Sequence, residues 1–287
     1  MSILIIAALA LLSVCMILAL CGSLLYWYER LNAPEAHIPQ PRTGIFPCLF
    51  LYGTILGSYI LCLLTLIFSP LCRLRIAAVN KRASTAPPLI FIHGIYNSAA
   101  VWLYFNRRLR KAGFACRAFS YSSFLTSPQA AVRSLDDYVE TIEAAFPGHK
   151  PLFVCHSMGG LIVRHWLLEH KNRRRAGGVL TLGTPHGGSK IAALAPGKLV
   201  KHLLPGAAFI RVLHDALPEE VPCTSVISTT DEAVLPASSL LPPQGWSVRV
   251  THSLGHIAML FCPGVADIAI QELQELIRKI TDHRQRS

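Results

Sequence analysis

The sequence predicts an α/β protein in which a mostly parallel sheet of about six strands, with helices on both faces, follows two transmembrane helices. Three observations predict it. Two long apolar runs, about residues 3–28 and 45–68, occupy the N-terminal quarter. From Leu89 onward, short apolar runs alternate with amphipathic stretches at βα spacing. A serine stands among small residues where one such run meets a helical pattern, in Cys155-His156-Ser157-Met158-Gly159-Gly160.

The composition is 52% hydrophobic and 15% charged, against about 25% charged in ordinary soluble domains. The imbalance is local. From Met1 to Cys72 the only charged residues are Glu29, Arg30, Glu35 and Arg42. Ile3 to Tyr28 carries no charge and exceeds the roughly 20 helical residues a bilayer core requires. Tyr26, Trp27 and Tyr28 close it with an interfacial aromatic belt. A signal peptide would need a basic leading region and a shorter apolar core. A polar loop with Pro34, Pro39 and Pro41 leads to the second span, which ends at Ser69-Pro70. The expected organisation is a membrane anchor over residues 1–82 and a globular α/β domain over 83–287, joined by the linker Ala83 to Pro88. Arg73, Arg75, Lys81 and Arg82 follow the second span, so the positive-inside rule places the domain in the cytoplasm. A buried hydrophobic hairpin of a soluble protein is the competing reading.

The net charge of +11 falls in short groups such as Arg173-Arg174-Arg175, without aromatic interleaving. Nucleic acid is therefore not expected as a partner; an anionic bilayer draws on the same charges. The nine cysteines include no C-x-x-C pair, which removes zinc and thioredoxin readings. They are expected as free thiols. A Cys223–Cys262 bridge would contradict the cytoplasmic placement.

Leu89-Ile90-Phe91-Ile92 reads as a buried parallel strand, and Ala99 to Lys111 as a helix. Phe114 to Tyr121 is the second strand and Pro128 to Phe146 the second helix, with Asp136, Asp137, Glu140 and Glu143 toward water. Leu152 to Cys155 is the third strand, and Leu161 to His170 the next helix. Gly178 to Leu182, Cys223 to Ser228 and Trp246 to Val250 are further strands, and Gly264 to Lys279 is the closing helix.

Ser157 at a sharp strand-to-helix turn fits a nucleophile raised out of the sheet, with helix N–H groups aimed at developing negative charge. Positions two before and two after must be small; Gly159 complies and Cys155 replaces the usual Gly. A plain helix N-cap is the alternative. The surrounding constellation favours chemistry. His93-Gly94-Ile95 follows the first strand, so Ile95 and Met158 are the expected oxyanion N–H donors. Asp231 and His256 follow the last two strands in the order Ser…Asp…His. In this arrangement Ser157 attacks an acyl carbonyl, His256 carries the proton, and Asp231 orients the imidazole. His252 competes with His256 and Glu232 with Asp231; His186 is expected to structure a loop. Glu219 and Glu220 precede the strand and lie on the wrong side.

Four stretches together resemble the α/β-hydrolase lipases, specifically the small bacterial triacylglycerol lipases and esterases: His93-Gly94-Ile95, His156-Ser157-Met158-Gly159-Gly160, Leu182-Gly183-Thr184-Pro185-His186-Gly187-Gly188 and Gly255-His256-Ile257. The likeness runs from about Pro88 to Leu276 and omits the two-span anchor. It implies the α/β-hydrolase fold, no cofactor or metal, a lipid or acyl-ester substrate, and, with the spans, a place in the bacterial inner membrane. Lys190 to Pro218 lies where such enzymes carry a cap, expected here to border the acyl pocket and face the bilayer. An acyltransferase or thioesterase using the same residues, and a catalytically silent adaptor on the same scaffold, remain as alternatives. The oligomeric state is left open.

Overall fold

The computed structural model describes residues 2–32, 38–39, 44–68, 87–213 and 221–286. Arg73, Arg75, Lys81 and Arg82, the linker residues 83–86, most of the polar loop, residues 214–218 of the cap region, and Glu219 and Glu220 lie outside them.

Two helices open the chain, α1 (Ser2–Asn32) and α2 (Ile45–Ile67). Both are long and apolar enough to cross a membrane. Only 11% of the apolar window of α1 and 22% of that of α2 is buried. Ile3, Leu9, Ile17, Leu24, Phe46 and Phe50 are all exposed. The core helices of a soluble protein are mostly buried, and these two are mostly exposed.

Six parallel strands follow: β1 (Pro88–Ile92), β2 (Ala115–Phe119), β3 (Leu152–His156), β4 (Gly178–Leu182), β5 (Cys223–Ser228) and β6 (Ser247–Thr251). Their order is β2-β1-β3-β4-β5-β6. Strand periodicity divides the core. Ile90, Ile92, Phe153 and Cys155 point to one face, under Leu135 and Val139 of α4 (Pro128–Ala145) and Leu161 of α5 (Met158–Trp166). Leu89, Phe91, Leu152 and Val154 point to the other. They meet Phe105 and Leu109 of α3 (Leu103–Lys111) and Ala269 and Leu273 of α9 (Pro263–Arg286). Helices thus cover both faces, and β1, β3 and β4 are buried at every position.

Several expected boundaries shift, and the closing helix runs from Pro263 to Arg286 instead of Gly264 to Lys279. The stretch expected as one helix from Ala99 opens with a 3₁₀ turn, Ala99–Trp102, and becomes α3 at Leu103. The helix after β3 starts at Met158 instead of Leu161 and ends at Trp166, and the short α6 (His170–Arg175) follows it. Asp136 and Glu143 of α4 are drawn from solvent to Arg175, at 2.5 and 2.9 Å, and Asp136 also accepts from Trp166 Nε1 at 2.9 Å. These bonds pin α4 to α5 and α6. The cap region holds α7 (Lys198–Lys201) and α8 (Ala208–Arg211). Cys223 and Cys262 are both free.

From β1 the chain moves to β2 on one side, and from β3 it moves to β4 on the other. This divergence leaves a crevice at the carboxyl ends of β1 and β3, where parallel α/β sheets place their sites. His93-Gly94-Ile95 leaves β1 there, and Ser157 leaves β3.

Candidate active site

Ser157 takes φ 53° and ψ −127°, a left-handed conformation that a non-glycine residue rarely adopts. Its side chain makes no capping bond to the helix it precedes. This separates it from an ordinary N-cap, whose hydroxyl turns back to the N2 or N3 amide. The backbone holds the turn from both sides: Ser157 N–H donates to Leu182 O at 3.0 Å, and Thr184 Oγ1 donates to Ser157 O at 2.9 Å.

Small neighbours are required because α5 begins against the end of β1. A Cβ on Gly159 would lie 2.4 Å from the Ile92 carbonyl oxygen and 2.9 Å from that of His93. Both obstacles are backbone and cannot swing aside. Gly159→Ala is therefore expected to destabilise the fold by about 1–3 kcal/mol, seen as a lower denaturant midpoint with an unchanged slope. Cys155 needs no such space. It lies fully buried in the core beside Ile92 and Met158, and burial pushes its thiol well above the usual range. The departure from Gly at this position therefore leaves the turn intact and introduces no reactive thiolate.

His256 Nδ1 lies 2.7 Å from Asp231 Oδ2, with both residues buried. Asp231 Oδ1 accepts from the N–H groups of Ala233 and Val234, each at 3.1 Å, which fixes the carboxylate plane. Burial alone would lower the His256 pKa. The Asp231 charge, their hydrogen bond and the Glu232 charge together outweigh it and hold it above the ordinary value.

A cavity of about 300 Å³ opens onto Ser157, His256 and Ile95, with Ile191, Val200 and Leu203 of the cap region among its apolar walls. Residues of the described part of that region, from Ile191 to Leu203, thus border the cavity. Ile95 lines it, whereas Met158 is buried as the first residue of α5. The loop after β1 lies directly over the turn, for a Cβ on Gly94 would stand 2.8 Å from Ser157 Cβ. Tyr96 joins this loop to the cap by donating its hydroxyl to Pro196 O.

The competing histidines separate by position. His252 is exposed and does not line the cavity. His93 Nε2 accepts the Tyr121 N–H at 3.2 Å, so its Nδ1–H faces Gly94 O at 2.8 Å, and its ring stacks on Tyr121. His186 structures its loop: it is buried between Arg164, Ser225 and Trp246, and burial holds it neutral. His156 lines the cavity, and its Nε2 lies 3.2 Å from the His256 carbonyl oxygen, bonding the turn to the histidine loop.

Glu232 does not compete with Asp231 for the imidazole. Its Oε2 accepts the backbone N–H of His256 at 2.7 Å. Burial first, and the Asp231 charge second, push its pKa up from the usual carboxylate range. This bond has no signature in the residue pattern, and neither does the lining of the cavity by Leu18 and Tyr59 of the N-terminal helices. A phenol inside an apolar span, one of two in α2 with Tyr52, was the available signal.

The sequence profile described as alpha/beta hydrolase fold matches residues 87–206. Among solved structures, the chain is similar to a lipase of Bacillus licheniformis in its mature form, with TM-score 0.59 and 18% identity over 70% of this chain and 96% of that one. It is similar to lipase B of Aspergillus fumigatus, with TM-score 0.59 and 20% identity over 69% of this chain and 55% of that one. A monoacylglycerol lipase of Paleococcus ferrophilus aligns with TM-score 0.50 and 16% identity over 67% of this chain and 96% of that one. No curated protein sequence matches the chain. The chain has the α/β-hydrolase fold, and its structural neighbours include lipases and esterases.

Proposed function

We propose that this chain is a membrane-anchored serine hydrolase that cleaves carboxylic esters of lipids. The observation that carries the reading is the convergence of a left-handed Ser157 and an Asp231-bound His256 on one largely apolar cavity. In this reading, Ser157 Oγ attacks the acyl carbonyl while His256 Nε2 takes its proton. Asp231 holds Nδ1–H and stabilises the imidazolium that forms. The N–H groups of Met158 and Ile95 receive the oxyanion. The imidazolium protonates the departing alcohol and leaves an acyl-serine. His256 then deprotonates a water that attacks this ester, and its proton returns to Ser157 as the fatty acid departs.

Apolar cavity walls supplied by the cap and by Leu18 of α1 support an acyl chain as the bound group. The exposed apolar faces of α1 and α2 support insertion in lipid beside it. The test is an ester panel on the full chain in detergent micelles: a triacylglycerol, a phospholipid and a short soluble ester. Release of free fatty acid from a long-chain ester, absent in Ser157→Ala, is expected. Fatty-acid release at the same rate from both proteins, or from neither, would overturn the reading. Transfer of the acyl group to an added alcohol in preference to water would replace it with the acyltransferase alternative.

A further inference from the structure

The N-terminal hairpin is fastened to the loops that carry the candidate site. Tyr26 donates its hydroxyl to Thr229 O at 2.7 Å, just before Asp231. Cys62 Sγ lies 2.9 Å from Asn97 Oδ1 in the loop after β1, and Lys190 of the cap pairs with Glu29 at 2.6 Å. A tether that only held the domain near a membrane would need none of these bonds.

A further set of contacts meets at Glu232. One oxygen takes the His256 N–H at 2.7 Å; the other accepts the Tyr59 hydroxyl of α2 at 3.4 Å. The fit around the carboxylate is close. A Cβ on Gly22 of α1 would stand 3.2 Å from Glu232 Cγ. A Cβ on Gly255 would stand 3.1 Å from Glu232 Oε2 and 2.7 Å from Ile55 Cγ1 of α2. Both helices and the residue before His256 therefore close on one buried acid. Burying a carboxylate is costly unless its oxygens are bonded, and this one spends its bonds on the histidine backbone and the hairpin.

We propose that Glu232, clamped by Tyr59, is a positioning residue that fixes the backbone of His256, which makes the N-terminal hairpin a working part of the site as well as an anchor. The inference rests on the Ser157–His256–Asp231 reading above. The two holds on the histidine are complementary: Asp231 sets the ring tautomer, and Glu232 sets where the ring starts. The charged and titratable groups around the pair are Asp231 and His156 at His256, and Asp231, Tyr59 and His256 at Glu232.

The test is steady-state kinetics of the full chain in detergent on a short soluble ester, which isolates positioning from lipid binding. Glu232→Ala is expected to lower kcat about 10- to 100-fold with KM nearly unchanged, the scale of a misplaced catalytic group. Glu232→Gln keeps an acceptor oxygen for the His256 N–H and is expected to recover most of kcat. It removes a charge that is present only above the raised Glu232 pKa of about 7, so the acid limb of kcat/KM should move only slightly to lower pH. Tyr59→Phe, which deletes only the hydroxyl, is expected to lower kcat severalfold. Unchanged kcat in folded Glu232→Ala, or a Gln variant as slow as the Ala variant, would overturn the positioning role. Unchanged kcat in Tyr59→Phe would overturn the clamp. Wild type no faster than Ser157→Ala would instead defeat the underlying triad reading.

Discussion

Ser157→Ala is expected to reduce ester hydrolysis by about a million-fold, the loss seen when the nucleophile of such a unit is removed. The size follows from the route. Without Oγ no acyl-enzyme forms, and His256 is left with only a water to activate, in a place shaped for a serine oxygen. The oxyanion donors remain and sustain a residual rate. The variant is also expected to fold. The bonds that hold the turn go to the Ser157 backbone, from Thr184 Oγ1 to its oxygen and from its N–H to Leu182, and none depends on the hydroxyl. Equal thermal midpoints with activity lost would assign the loss to chemistry, measured by fatty-acid release from the substrates of the ester panel.

Asp231→Asn is expected to lower kcat by about 10⁴-fold, as reversing the histidine tautomer does in a triad. The geometry explains why an amide cannot substitute. Oδ1 is committed to two backbone donors, Ala233 and Val234, so the amide oxygen must occupy that side. Its NH₂ then faces His256 Nδ1, 2.7 Å from the position of Oδ2. Nδ1 becomes an acceptor, the ring proton moves to Nε2, and the nitrogen facing the cavity can no longer take a proton from Ser157. The same change removes the charge that raises the His256 pKa, so the residual activity should show its acid limb at lower pH than wild type.

Much of this was legible in residue patterns. Gly178–Leu182 and Cys223–Ser228 have the bounds their apolar runs imply, because strands buried on both faces leave continuous apolar signatures. The helix after β3 was less legible. Gly159 and Gly160 read as poor helix formers, yet they open α5, because a Cβ on Gly160 would stand 2.2 Å from Thr184 Oγ1 and one on Gly159 would meet β1. Tertiary crowding chose those residues against their propensity. Sequence order could align Asp231 and His256 but could not separate Asp231 from Glu232. Neighbouring residues on one loop point in different directions, and only the fold sends one carboxylate to the ring and the other to the backbone. The hairpin was legible as two apolar spans. Its bonds through Tyr26, Tyr59 and Cys62 were not, because contacts across more than 30 residues leave no periodic trace.

The central claim is that Ser157 is an activated nucleophile in the intact chain. Its most direct measurement is covalent labelling of the detergent-solubilised full-length protein by a fluorophosphonate, with the modified residue located by peptide mass spectrometry. The account predicts one stoichiometric adduct on Ser157, absent in Ser157→Ala and formed far more slowly in Asp231→Asn. A folded wild-type protein that acquires no adduct, or acquires it on another residue, would contradict it.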